Sequence, residues 1–480
     1  MAPSDPQSPP AMSAHSEGIR PGPVLASLRE AMRPIAPLAG EDRRYRLDDR
    51  LAHFQCPALS LALIRDGVVT EAAVWGHAEA AVARTADVET LFQAASMSKP
   101  VAAILALQLV REGRVGLDDD INRHLTSWQA PVPDGAPVTL RSLLSHRSGA
   151  TTVRFLSLSP DAPRPSTIDV LEGRPPAVNA PLAFAGPAGV QERYSNTGYT
   201  LIQLLIEDLT GSPMGDVARS RVFDRLGLSR STFAQPLDLS TRSNAAVGYE
   251  RGEPMDGVWR YQPQLAAAGL WTTPAEYARL LLAFRQAALG KDDRLLDQAS
   301  ARAMLTPQGG DFGLGWILYG AGDGLGFGHT GSNLGFRSMA RLSLRSGDGL
   351  VAMTNADSGK HVYLEAAHGL AVLCGWPEFA PRPRQSVPIT PAIARRFEGE
   401  FRFDGDVAPP LVLAMEDGLL RLSRPGGHGR VEPMGQGTDG RLFCVDSIFS
   451  LEAVNPAGGP ARELAIHELG NGEVARVFRR

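Results

Sequence analysis

The spacing of apolar residues changes several times along the chain, and each change predicts a different element. From Val24 to Leu51 the apolar positions Leu25, Leu28, Met32 and Ile35 recur every three or four residues, which predicts a helix. Between Ala58 and Trp75 two β-prone runs flank Asp66-Gly67, a pair suited to the positive φ of a tight hairpin, and this predicts a first strand pair. The stretch from Lys99 to Glu112 is apolar on nearly every side and ends at Gly113, so a buried helix is expected there. From about 120 to 285 several helical patterns, such as Thr200 to Leu209 and Pro274 to Phe284, stand between proline-rich connections and predict a mostly helical region. Strand patterns return at Arg337 to Leu344 and Leu350 to Thr354, and a helical one comes next, from Val362 to Leu373.

Strands near both ends of a helical region imply a mixed α/β (α+β) fold, in which distant segments close one sheet and a helical subdomain stands beside it. A cleft between those two parts is a natural ligand site. The proline-rich stretch 377–391 predicts an extended linker. Beyond it come short alternating segments: Phe397 to Phe403, Leu411 to Met415, Leu419 to Leu422, and Leu464 to Val477 folded at Asn471-Gly472. They predict a small β domain over 392–480, barrel-like or a sandwich. Residues 1–23, rich in proline and serine, read as a disordered leader, which leaves 24–376 as the main domain.

Composition narrows the partners. A net charge of −4 and a pI near 6.2 give no overall field to gather nucleic acid or an anionic membrane. No uncharged apolar run reaches the roughly 18 residues of a membrane span, and the leader has no signal-peptide core, so a cytoplasmic location is expected unless an export signal has been removed. Cys56, Cys374 and Cys444 lie far apart and match no zinc-ligand spacing, which predicts buried thiols, no metal and a reducing compartment. Of 48 basic residues only Lys99, Lys291 and Lys360 are lysines, so a lysine's position carries information.

One of the three opens the buried helix, in Ser96-Met97-Ser98-Lys99. Residues three apart share a helix face, so Lys99 can reach the Ser96 hydroxyl. A serine hydroxyl is a poor nucleophile without a base beside it, and arginine cannot serve because it keeps its proton. Lysine serves once burial lowers its pKa by several units, and a helix N-terminus assists by disfavouring the ammonium. The bland alternative is a serine N-cap followed by a surface lysine.

Two further segments weigh against that alternative. Tyr194-Ser195-Asn196 precedes another helical run, and Gly328-His329-Thr330-Gly331-Ser332 precedes the late strand pair. The ordered set S-x-x-K, Y-x-N and H-T-G resembles the serine hydrolases related to class C β-lactamases, penicillin-binding DD-peptidases and their esterase relatives. Leu143 to Gly149, Ala267 to Thr273 and Phe312 to Trp316 support the likeness, which covers about residues 40 to 375. It implies an antiparallel sheet flanked by helices. It also implies Ser96 as nucleophile, Lys99 as base and Tyr194 sharing or relaying the proton. Asn196, His329, Thr330 and Gly331 would contact substrate, with Asn196 alternatively bonded to Lys99. The backbone N–H groups of Ser96 and Ser332 would form the oxyanion hole.

Penicillin-recognising members usually open the third motif with lysine or arginine, where this chain has His329. A mostly neutral imidazole anchors a carboxylate weakly, which disfavours β-lactamase activity relative to ester or amide chemistry. Gly326 to Gly331 also satisfies G-x-G-x-x-G, but residues 332–344 read as loop and strand rather than the helix a dinucleotide site needs. His146 reads as structural, and Asp118 to Asp120 as a solvated loop.

The expected activity is therefore an acyl-enzyme hydrolase acting on a small-molecule or peptide ester or amide, without metal or organic cofactor. The alternatives are a transacylase similar to penicillin-binding-protein-type thioesterases, a β-lactamase or DD-peptidase, and a non-turnover binder or sensor. The oligomeric state is left open.

Overall fold

The computed structural model describes residues 21–132, 137–151, 157–402, 410–423, 432–454, 460–468 and 474–479. Its centre is a seven-stranded sheet, built from β1 (Ala58–Arg65), β2 (Val68–Glu79), β3 (Arg84–Thr85), β4 (Ile317–Tyr319), β5 (Gly326–Asn333), β6 (Phe336–Ser343) and β7 (Gly349–Thr354). In the order β3-β2-β1-β7-β6-β5-β4 every neighbouring pair is antiparallel. The hairpin at Asp66-Gly67 and the late pair β6/β7 form where the alternation predicts them, and β7 joins them by pairing with β1.

Strand side chains alternate between faces, so β1 feeds two cores at once. Ala58, Ala62 and Ile64 enter the larger core, and Leu59, Leu61 and Leu63 the smaller one on the opposite face. The larger core also receives α3 (Ser98–Arg111), α5 (Asn196–Thr210) and α6 (Pro274–Ala288). The smaller core packs α1 (Pro23–Leu28), α2 (Leu47–His53) and α7 (Gly359–Cys374). Around 120–285, α4 (Leu140–Leu144), α5 and shorter helical segments alternate with the short strands Tyr249–Glu250, Glu253–Pro254 and Trp271–Thr272 and with irregular connections, so helix is a smaller share of the region than its patterns predict. Of the described residues, those of the G-x-G-x-x-G match lie within strand β5 and run on into β6, so no helix receives a phosphate there.

Several expectations differ from the fold. The periodic stretch 24–51 is not one helix. Pro34 and Pro37 cannot continue an α-helix, and Gly40 adopts φ +85. The chain doubles back instead, and Met32 and Tyr45 exchange backbone hydrogen bonds of 3.1 and 2.9 Å while Leu25, Leu28, Met32 and Ile35 all remain buried. The second correction is at 397–403, where the predicted strand shortens to Gly399–Phe401 behind a helix, Pro391–Phe397. Thr390 caps that helix by accepting the Ile393 N–H, with proline at the first helical position.

The C-terminal part forms two antiparallel sheets, one of six strands and one of four, around a shared core that includes Phe397, Phe401, Leu413, Leu442, Leu451 and Leu464. Among the described residues it does not close into a barrel. The proline-rich stretch is not wholly extended linker either, since Ser386–Val387 is the edge strand of the six-stranded sheet. The Asn471-Gly472 turn lies outside the described residues, between the paired strands Glu463–Glu468 and Val474–Arg479. This part docks on the segment joining α1 to α2: Ala36 N–H donates to the Val445 carbonyl, Ala39 N–H to that of Arg384, and Tyr45 to the Asp446 carboxylate at 2.7 Å. That face lies across the sheet from α3. Cys56 and Cys444 are buried, Cys374 is half-buried, and no disulfide joins them.

Candidate active site

The Ser96 hydroxyl emerges from a single 3₁₀ turn, Ala95–Met97, that leads into α3. Ala95 is left-handed at φ +50, a strained conformation for a residue with a Cβ. Such strain persists only where the surroundings over-determine it. Here Ser338 on β6 donates to the Ala94 carbonyl at 2.8 Å, and Tyr277 on α6 donates to the Met97 carbonyl at 2.9 Å. Ser98 donates to the Ala95 carbonyl and accepts the Leu270 N–H. Ser96 itself makes no helix-capping bond, which removes the N-cap explanation of the motif.

Lys99 is fully buried, and its Nζ has three polar neighbours: Ser96 Oγ at 2.9 Å, Asn196 Oδ1 at 2.8 Å and the Ala267 carbonyl at 2.9 Å. Carboxylates are missing from that set, so burial acts unopposed and drives the amine well below its ordinary value. A neutral amine has two hydrogens and one lone pair. The amide oxygen of Asn196 and the carbonyl of Ala267 can only accept, so they take both hydrogens and leave the lone pair to the Ser96 hydroxyl.

Tyr194 lies just ahead of α5, whose N-cap is Ser195 accepting the Gly198 N–H, and this places Asn196 at the first helical position. The Tyr194 ring sits 4.7 Å from Lys99 Nζ and keeps 37% of its surface open. His146, Phe312 and His329 crowd it at 4.3, 5.8 and 6.3 Å between ring centres. This crowding raises the phenol well above its ordinary value, against a smaller lowering by its hydrogen bond with Ser96. At neutral pH the phenol therefore holds its proton, and the amine is the group ready to accept one.

The third motif lies on β5. The Gly331 Cα presses on the Ala95–Met97 turn so closely that an added Cβ would stand 2.2 Å from both the Ala94 carbonyl oxygen and Ser338 Oγ. Its neighbours Thr330 and Ser332 face solvent. His329 is buried, its Nδ1 lies 2.6 Å from the Thr330 carbonyl, and the proton of the neutral ring therefore belongs on Nδ1. Burial first and Lys99 second push its pKa down to about 3, so it is uncharged at pH 7.

Ser96, Lys99, Tyr194, Asn196 and His329 thus gather around one point, with Thr330, Gly331 and Ser332 along its strand wall. Sequence reading missed the Ala267 carbonyl, because a backbone acceptor has no side-chain signature. It also left out the tethers Ser98, Ser338 and Tyr277, and the contact between His146 and Tyr194, which join residues far apart in the chain.

The Beta-lactamase family model matches residues 45–373. Penicillin-binding protein 4 of Amycolatopsis lactamdurans is 28% identical over 377 residues, which are 74% of this chain and 96% of that protein. Esterase EstB of Burkholderia gladioli is 29% identical over 203 residues, 40% of this chain and 49% of the esterase. The octameric penicillin-binding protein homologue from Pyrococcus abyssi shares the fold, with a TM-score of 0.60 at 19% identity over 90% of this chain and 98% of its own. Since the family model spans well over half of the chain, and the motifs expected of that family meet at one site, the protein belongs to the Beta-lactamase family and is a serine hydrolase.

Proposed function

We propose that Ser96 is acylated by small esters or amides and that the acyl-enzyme is resolved by water. The environment of Lys99 Nζ carries this reading, because two obligate acceptors consume its hydrogens and direct its lone pair at Ser96 Oγ. As Ser96 Oγ bonds to the substrate carbonyl carbon, its proton passes to Lys99. The oxygen that gains charge is held by the backbone N–H groups of Ser96 and Ser332. The leaving oxygen or nitrogen departs with a proton from Tyr194, which is restored from Lys99. A water then attacks the acyl carbon and gives its proton to the same pair, which returns it to Ser96 Oγ as the acyl–oxygen bond breaks and the product acid leaves. Asn196, besides holding Lys99, would contact a substrate amide.

The neutral His329 shapes the substrate class. With an uncharged imidazole where the carboxylate-anchoring members carry a cation, the favoured substrates bear no free carboxylate on that side. Esterase EstB, by its name, supports ester cleavage. Hydrolysis of a short-chain nitrophenyl ester is expected, with loss of activity and of a mass-detected acyl adduct in Ser96→Ala. Inactivity of the native protein across a broad ester and amide panel overturns the reading.

The similarity to a penicillin-binding protein over nearly its whole length favours a second reading, in which a β-lactam carbonyl acylates Ser96. Turnover of a chromogenic cephalosporin at rates matching the esters would establish it over the first.

A further inference from the structure

Outside the groups that contact the Ser96 hydroxyl, one buried residue holds the backbone on both sides of Tyr194, through its carbonyl on one side and its ring on the other. His146 comes just after α4 in a left-handed conformation, φ +59, that a residue with a Cβ seldom adopts without compensation. From there its carbonyl accepts the Arg193 N–H at 2.6 Å, and its Nδ1 accepts the Ser195 N–H at 3.1 Å. Its ring lies 4.3 Å from the Tyr194 ring at an angle of 35°. Residues 193, 194 and 195 are therefore each bound by this one residue. Because Nδ1 accepts, the neutral ring carries its hydrogen on Nε2. Tyr199 and Phe312 pack on its other sides at 5.2 and 4.7 Å, and Lys99 and His329 are the ionisable groups whose charge reaches it.

We infer that His146 is a positioning residue that clamps Tyr194 and keeps the phenol on Ser96 through both proton transfers. This rests on the reading in which Tyr194 relays protons at Ser96. The left-handed backbone at 146 has a purpose in that arrangement: from it the carbonyl and the ring of one amino acid reach both flanks of Tyr194. A protonated imidazole would lose the Ser195 bond and place a cation beside Lys99, so the clamp works only with the ring neutral.

A double-mutant cycle on nitrophenyl ester hydrolysis tests the clamp, using H146N, Y194F and the combination. Asparagine tolerates the left-handed conformation but removes the ring that packs on Tyr194. With Tyr194 present, H146N is expected to lower kcat by about 10- to 100-fold, the cost of a misplaced catalytic group. In the Y194F background H146N should cost nothing more, because nothing remains to be positioned. Equal losses in both backgrounds overturn the clamp, since they show that His146 acts on the fold or on Ser96 directly. Full activity of Y194F is a separate result that removes the Tyr194 role instead. If H146N does not fold, ¹⁵N-histidine spectra of the native protein decide: the neutral Nε2–H tautomer at pH 7 supports the clamp, and an Nδ1–H tautomer or an imidazolium at 146 overturns it.

Discussion

At the scale of single residues, the decisive property is the charge of Lys99. A lysine in water carries its proton to pH values above 10, and its release here results from burial without any carboxylate partner. Lys99→Met keeps the length and bulk of the side chain in its shielded site but has no amine to offer a lone pair. The expected loss in kcat is about 10²- to 10⁴-fold with the fold intact, measured as ester turnover alongside circular dichroism. His329 supplies a stability test. Above pH 6.5 its imidazole is neutral whether the chain is folded or not. Below that, the unfolded ring binds a proton that the folded ring, at about 3, refuses. Stability is therefore lost as pH falls from 6.5 towards 3, by roughly 1 kcal/mol per pH unit for one such group. His146 acts in the same direction, because burial first and Lys99 second depress it as well. The thermal midpoint of His329→Asn should fall less steeply than that of the native protein over this interval, and parallel curves would refute the assignment.

At the scale of elements, β5 and the Ala95–Met97 turn depend on each other. The strand approaches Ala94 only because residue 331 has no side chain, while Ser338, Ser98 and Tyr277 tie the turn from three directions. Gly331→Ala forces the strand and turn apart. The expected cost is about 1–3 kcal/mol in denaturant unfolding, together with a fall in kcat, as overpacking predicts. Unchanged stability would mean that the strand yields without strain. Elements with strong local signals were legible in the sequence. The hairpin at Asp66-Gly67 and the buried helix α3 stand where their patterns place them, because turn chemistry and apolar period act within a few residues. The stretch 24–51 misled because its apolar spacing is real but serves a core reached by a folded-back chain. The prolines that break it carried more weight than the period did. At Thr390-Pro391 a helix start was passed over amid a run of prolines.

At the scale of the whole molecule, the C-terminal part is tied to α2 and α7 by a buried charge network. Arg50 donates to both carboxylate oxygens of Glu365, at 2.8 and 2.6 Å, and reaches Asp446 at 3.1 Å, while its guanidinium lies 4.2 Å from the Tyr45 ring centre. Glu365 is completely shielded from water. Arg50→Ala would remove two charge-assisted hydrogen bonds from that buried carboxylate and should cost about 3–5 kcal/mol. Differential scanning calorimetry checks the loss, and limited proteolysis should show earlier cleavage near Pro381, where the C-terminal part joins. No helix among the described residues is long and apolar enough to cross a membrane. The sequence by itself determined the chemistry: a serine and a rare lysine one turn apart on an apolar helix, with Tyr194-x-Asn196 and His329-Thr330-Gly331 further along the chain. Local spacing and side-chain type are enough for that, since a nucleophile and its base can meet within one helical turn. Only the tertiary structure decided which hydrogens Lys99 gives away, which residues hold Tyr194 and which face the C-terminal part covers. Those depend on the Ala267 carbonyl, on His146 and on Asp446, partners brought close by packing across the chain and leaving no mark on its local pattern.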